Sequence, residues 1–397
     1  MSSDSLDLSS PHPQADREEM FDIISKTFSR HGYFNFLDRC RNSYIEGSHY
    51  DWDASTVGRL DGKIVTHCGV WGYDMRVGRS LVRVAGVGAV STHGEYQKRG
   101  LMSRTFAHAL SQMREAGYDM TMLFGIKDYY HRFGYVRAYP LTTYIVDVGE
   151  LPTDKPAPQC RKIKRPPLEE MARVYNRQNA GLTASAMRPT YRKAVFLGDH
   201  ECHIWCNAKG KLAGWVLTHK NTCVDHAGQA EQVLRVMGAL ARKQAWMEVQ
   251  FRDLHHDTAL CRLLQAGTCR AETHYARSGG AMIRTLDLRS ALEKVSPELA
   301  RRMAASHLNR WRGTLAVRDA RQQVVLKIGG GKVGVIDGPA GKNTARGGEE
   351  VAQLIIGTDE PQALCAAGGI KTTGEAAGLL EVLFPEQHPC LAGADRF

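Results

Sequence analysis

The sequence predicts an α+β fold, and three observations predict it. An amphipathic helical pattern opens the chain, paired extended stretches follow, and a short basic turn then separates a strand from a second amphipathic helix. At 397 residues the chain has room for about two to three domains.

Met1 to Asp16 is rich in Ser, Asp and Pro and lacks the basic and apolar regions of a secretory signal, so it reads as a disordered leader and the location as cytoplasmic. Asp16 and Glu19 have capping-box spacing ahead of an apolar face made by Met20, Ile23, Ile24 and Phe28. Extended stretches at 55–60 and 63–70 flank Asp61-Gly62, a strong hairpin signal. Another, 82–92, runs into Gly94-Glu-Tyr-Gln-Lys-Arg-Gly-Leu-Met-Ser103. Met102, Phe106, Leu110 and Met113 share one face of the helix that follows, and Gly117 ends it. A strand at 119–124, the aromatic run Tyr130-His-Arg-Phe-Gly-Tyr135 and a last strand at 142–148 complete the first domain, 17–150.

The Pro-rich stretch 151–167 reads as a linker. The second domain, 151–280, repeats the theme: a helix at 168–178, two strands around Ala208-Lys-Gly-Lys211, a helix at 229–245, a strand at 246–251 and a helix from about Asp257. Periodicity alone fits a degenerate copy of the first fold or an unrelated α+β domain. The third, 281–397, begins with a strand at 282–286. Strands at 313–318, 323–328 and 332–336 follow, then a final helix capped near Thr372 and Glu375 and ending near Leu383. Gly329-Gly-Gly331 lacks the Lys-Ser/Thr of a phosphate loop and reads as a hairpin turn.

Composition excludes several classes. No apolar stretch is long enough to cross a bilayer. The net charge of +10 is dispersed rather than gathered on a reading motif, which argues against nucleic acid. Its densest patch, Arg161-Lys-Ile-Lys-Arg165, falls in the linker. Ten scattered cysteines read as reduced core thiols. Cys202-His-x-x-Cys206 hints at metal, but alternation along a strand explains it and no second ligand pair has suitable spacing, so no metal is expected.

The turn at 94–103 carries the chemistry. A strand, a basic Gly-containing turn and a helix start make an anion cradle, because first-turn N–H groups lack intrahelical partners and the helix dipole adds positive potential. Lys98 and Arg99 add charge, and Gly100 permits close backbone approach. A pyrophosphate suits it. Tyr129, Tyr130, Phe133 and Tyr135 form an aromatic cluster that is either core or catalytic surface. His67, His93 and His131 are candidate bases with equally plausible packing roles, and Glu95 stands beside the turn.

Gln97-x-x-Gly100-x-Met102 resembles the acyl-CoA motif of GCN5-related N-acetyltransferases (GNAT), with Met102 where a smaller residue is usual. Together with Tyr130 to Tyr135 and the tail Leu383-Phe-Pro385, Pro389 and Asp395-x-Phe397, the chain resembles the Eis (enhanced intracellular survival) family. The resemblance implies a GNAT domain, a second degenerate GNAT-like domain and a C-terminal domain of the sterol carrier protein type. It implies acetyl-CoA held by Val90, Ser91, Thr92, Lys98, Arg99, Gly100, Leu101, Met102, Ser103, Gly125 and Ile126. Tyr130 is then the general acid, and the main-chain carboxylate of Phe397 the general base. The acceptor is implied to be a small-molecule amine, in some members an aminoglycoside, and the assembly a homo-hexamer. A protein or peptide amine is the alternative acceptor; a non-catalytic acyl-CoA or lipid-binding protein is the reading from a different class.

Overall fold

The computed structural model describes residues 5–189, 200–276 and 278–397. They form three β-sheets, and helices pack against the faces. In chain order the first part contains β1 (Asp7–Ser9), α1 (Arg17–Thr27), α2 (Tyr33–Arg39), β2 (Thr56–Leu60), β3 (Lys63–Val77), β4 (Ser80–Thr92), α3 (Leu101–Glu115), β5 (Met120–Gly125) and β6 (Val136–Arg137).

The first sheet runs β1-β2-β3-β4-β5, then the strand Gly280–Thr285, then β6. Asp61 (φ 50°) and Gly62 (φ 79°) make the tight β2–β3 turn, as the Asp-Gly signal requires. The β4–β5 pair is parallel, joined through α3, whose Phe106, Ala109, Leu110 and Met113 are buried against the sheet.

The leader is not disordered from residue 5 onward. Leu6 is buried, and β1 adds an edge strand to β2, with Asp7 opposite Arg59. The capping box is also absent. The Asp16 carboxylate instead pairs with Arg59, and Glu19 accepts the Ile64 N–H at 2.9 Å. Tertiary partners outcompete the local cap.

The second sheet contains the strands Arg161–Ile163, His200–Cys206, Leu212–His219, Thr222–Ala227 and Glu248–Arg252. Leu141–Asp147 and Arg270–His274 complete it. Thr222–Ala227 and Glu248–Arg252 are parallel, joined by the helix Ala230–Lys243, so the second unit repeats the first. The 151–167 stretch is more than a linker, since Arg161–Ile163 pairs with the sheet edge.

Two strands change places relative to the expected boundaries. Leu141–Asp147, assigned from sequence to the first domain, pairs with Glu248–Arg252 in the second sheet. Gly280–Thr285, assigned to the third, pairs with β5 in the first. Each lies on the flank of a parallel strand away from its parallel partner: Leu141–Asp147 beside Glu248–Arg252, and Gly280–Thr285 beside β5. An alternating pattern marks a strand without naming its partner.

The third sheet has strands Lys332–Ile336, Gln323–Gly329, Gly313–Arg318, Thr344–Gly347 and Ile370–Thr373, covered by the helix Leu288–Ala304. Gly329 pairs with Lys332 across Gly330 (φ 63°) and Gly331 (φ 72°), so the triple glycine is a hairpin turn. No helix among the described residues is long and apolar enough to cross a membrane.

Candidate active site

The site begins with a bulge in β4. Pairing between β3 and β4 shifts register at His67 to Gly69, and Ala89 takes φ 48°. Buried His67 holds the bulge. Its Nδ1 lies 2.8 Å from the Ala89 carbonyl oxygen, which can only accept, so Nδ1 carries the proton. Its Nε2 lies 2.7 Å from the Tyr50 hydroxyl. Burial pushes the His67 pKa down to about 4. With both nitrogens engaged and the ring neutral, His67 is a structural pin rather than a base.

Beyond the bulge β4 and β5 part, Val87 and Leu123 being the last pair in register. The gap is the mouth of a cleft of about 960 Å³. The turn at 94–100 closes one end. Lys98 has φ 61° and Gly100 φ 75°, and α3 starts directly after with no side-chain cap on its first N–H groups. Nothing lies within 4 Å of a Cβ built on Gly94 or Gly100, so the cradle faces open space. Arg99 lies over the Tyr96 ring at 5.3 Å. These groups fit a pyrophosphate: N–H donors, a helix N-terminus and two cations.

Of the residues expected to hold the cofactor, Val90, Thr92, Lys98, Arg99, Gly100, Leu101, Met102, Ser103 and Ile126 line this cleft. Ser91 is buried, its Oγ 3.1 Å from the Ala89 oxygen. Gly125 pairs with Gly280 at the end of β5, and a Cβ there would overlap the Tyr130 ring.

Tyr130 both lines the cleft and belongs to the core. Its ring lies 5.3 Å from Phe106 and 4.9 Å, edge-on, from Tyr129. Burial raises its phenol pKa, so it stays protonated and available as a donor. Phe397 lines the same cleft. The Phe397 ring sits 5.8 Å from both Tyr73 and Phe124, and a Cβ on Gly86 would overlap it. Its carboxyl carbon lies 3.0 Å from a Cβ built on Gly88, beside the position that Cβ would share with the Tyr44 hydroxyl at 3.1 Å. Phe397 is thus seated on β4. His93 and Glu95 line a smaller neighbouring pocket with Asp22, and His131 is exposed.

Sequence reasoning missed the opposite wall, made by Phe28, Arg30 and Tyr44 from the segment around α2, with Phe124 and Arg132. It also missed the seat for Phe397. The signal was present as Gly86-Val-Gly88 inside a strand, a pattern that marks close approach of another group.

The family model of the acetyltransferase (GNAT) domain matches residues 11–138. No curated protein matches the chain. Solved structures share the fold over 99% of the chain. A GCN5-related N-acetyltransferase from Anabaena variabilis is 16% identical, covered over 100% of its length, at TM-score 0.78. A probable N-acyltransferase from Enterococcus faecalis is 16% identical, covered over 100%, at TM-score 0.76. Eis1 from Mycobacterium abscessus is 15% identical, covered over 100%, at TM-score 0.69. The splayed parallel strands, the cradle between them and the match over 11–138 agree: this chain carries a GNAT acetyltransferase domain within an Eis-like fold.

Proposed function

We propose that the protein transfers acetyl from acetyl-CoA directly to a small-molecule amine, with Tyr130 as acid and the Phe397 carboxylate as base. The observation that carries this reading is that the cradle, Tyr130 and Phe397 border one cleft where β4 and β5 separate. The cradle and the edge of 90–92 that faces away from β3 hold the cofactor's pyrophosphate and pantetheine arm. The amine nitrogen forms a bond to the thioester carbon while the carbon–sulfur bond breaks. The Phe397 carboxylate takes the proton that the amine gives up, directly or through water. The Tyr130 hydroxyl supplies a proton to the departing sulfur. Holding amine and thioester together removes much of the barrier.

The acceptor wall combines the aromatic rings of Phe28, Tyr44 and Phe124 with cationic Arg30 and Arg132. This supports an amine with an apolar or aromatic body. An aminoglycoside, being polycationic, has the Phe397 carboxylate as its negative partner there. The test is free-thiol release from acetyl-CoA over a panel of aromatic monoamines, aminoglycosides, polyamines and lysine peptides. Turnover on any small amine supports the reading. Turnover on peptides alone moves it to protein acetylation, and stabilisation by fatty ligands with no response to acetyl-CoA overturns it.

A further inference from the structure

The second unit has a mouth of its own, and this chain's tail lies in it. Thr222–Ala227 and Glu248–Arg252 pair only at Thr222 with Gln250 and Cys223 with Phe251, then diverge like β4 and β5. Only Gly228 and Gln229 stand between the first strand and the helix beginning at Ala230, leaving no room for a basic cradle. Between the diverging ends lie Cys390 and Ala392, in a small pocket with Val224, Asp225 and Asp253. A Cβ on Gly393 would come within 2.9 Å of Asp253 Oδ2 and 3.4 Å of the Val224 oxygen.

Asp395 and Arg396 are bound by charge. Asp395 is buried and receives Arg188, with Nε at 3.0 Å from Oδ1 and Nη2 at 2.9 Å from Oδ2. The same guanidinium forks onto buried Asp225 at 2.9 and 3.0 Å and lies 3.5 Å over the Tyr175 ring. Trp215 Nε1 donates to Asp225 at 3.1 Å. Arg76 of β3 also lies near enough to Asp395 to feel its charge, and its Nη2 donates to Asn176 Oδ1 at 3.1 Å. Arg396 pairs with Asp253 and lies 4.4 Å over Phe124. Phe397 follows, seated on Gly86 and Gly88.

We propose that the second unit's cleft is a clamp for the C-terminal tail, with Asp395 and Arg188 as positioning residues that aim the Phe397 carboxylate into the acetyl-transfer site. This rests on Phe397 acting as base. Arg188 touches no reacting atom. It fixes the backbone two residues upstream of the group that does, and bidentate pairs fix direction as well as distance. The unit without a cradle thus completes the site of the unit that has one.

Asp395→Asn keeps the shape and removes the charge. With the full-length enzyme, kcat for acetyl transfer is expected to fall about tenfold or more, while the acetyl-CoA Kd by calorimetry stays within about threefold. Glu298→Gln breaks a comparably buried pair with Arg302 in the third unit and sets what lost stability alone does to kcat. Asp395→Asn retaining more than half of wild-type kcat overturns the clamp, as does an equal loss in Glu298→Gln. If Asp395→Asn does not fold, Arg188→Lys keeps the buried charge and gives up the fork. The same split between kcat and Kd is expected there, and an unchanged kcat overturns the proposal. Wild-type enzyme that neither binds acetyl-CoA nor acetylates any amine would defeat the proposed function itself, a different result.

Discussion

The first and second sheets are built alike and end differently. Each has an antiparallel pair leading to a strand, a helix, and a parallel strand that diverges from the first. In the first unit eight residues, 93–100, intervene before the helix, and Lys98 and Gly100 adopt left-handed backbone there. That leaves N–H groups and cations facing an open cleft. In the second unit the helix starts almost at once, and the mouth is taken by 390–395 of the same chain. The difference teaches that splayed parallel strands supply only a mouth. The connection after the first strand decides whether the mouth takes a phosphate.

The largest effect should come from disturbing the point where the two mouths communicate. One Gly added after Phe397 moves the carboxylate off its seat beside Gly88 and is expected to lower kcat by about 10²–10³-fold. Tyr130→Phe should cost about 10²-fold in kcat and leave the acetyl-CoA Kd within about threefold. Stopped assays of thiol release with calorimetry check both. Full activity of the extended chain would mean that the tail in the second mouth has nothing to do with chemistry in the first.

What could be read from the sequence follows from how local each feature is. The Asp61-Gly62 hairpin, the 97–102 turn and the α3 face are set by residues within a few positions of one another, and each stands as expected. The Phe397 seat depends on Gly86, and the clamp joins Arg188 to Asp225 and Asp395 across long separations. The exchange of Leu141–Asp147 and Gly280–Thr285 was hidden for the same reason, since alternation shows a strand but not its neighbour. The order of the β1 leader is not legible locally, because its short apolar pattern is buried only against β2 and α3. Tyr130 was legible as an aromatic cluster, but its dual place in core and cleft was not.

A smaller effect separates the bulge of the first unit from the second unit's mouth. His67 is neutral in the fold, its pKa near 4 against an ordinary 6.5. A depressed histidine contributes stability that is complete above the unfolded pKa and is lost as pH falls toward the folded one. The window is therefore about pH 6.5 down to about 4, and the loss is of order 3 kcal/mol. His67→Asn, which keeps a donor for the Ala89 oxygen, should flatten the Tm-versus-pH curve in that window and leave it unchanged in slope above it. A wild-type curve already flat there would remove His67 as the pin.

Within the first unit, Gly86→Ala tests the seat without altering any charge. The added methyl overlaps the Phe397 ring, and overpacking of this kind costs about 1–3 kcal/mol. The ring can relieve it only by leaving the Tyr73 and Phe124 contacts, so kcat should fall by about tenfold. Acetyl-CoA affinity should hold, because the cradle lies at the other end of the cleft.

The smallest expected effect has opposite signs in two measurements. Lys98 holds a left-handed backbone that a side chain disfavours by about 1–2 kcal/mol relative to glycine. A residue kept there despite that cost contributes something a glycine cannot, and in this turn the candidate is positive charge toward a phosphate. Lys98→Gly should therefore raise Tm by about one degree, corresponding to about 0.5–1 kcal/mol. It should also weaken acetyl-CoA binding by about three- to tenfold, most at low salt, where the lost charge is least screened. Lys98→Ala should weaken binding equally without the gain in Tm. If Lys98→Gly binds acetyl-CoA as wild type does at low salt, the charge at 98 is not what distinguishes the open mouth from the filled one, and the distinction falls to the N–H groups at the start of α3 alone.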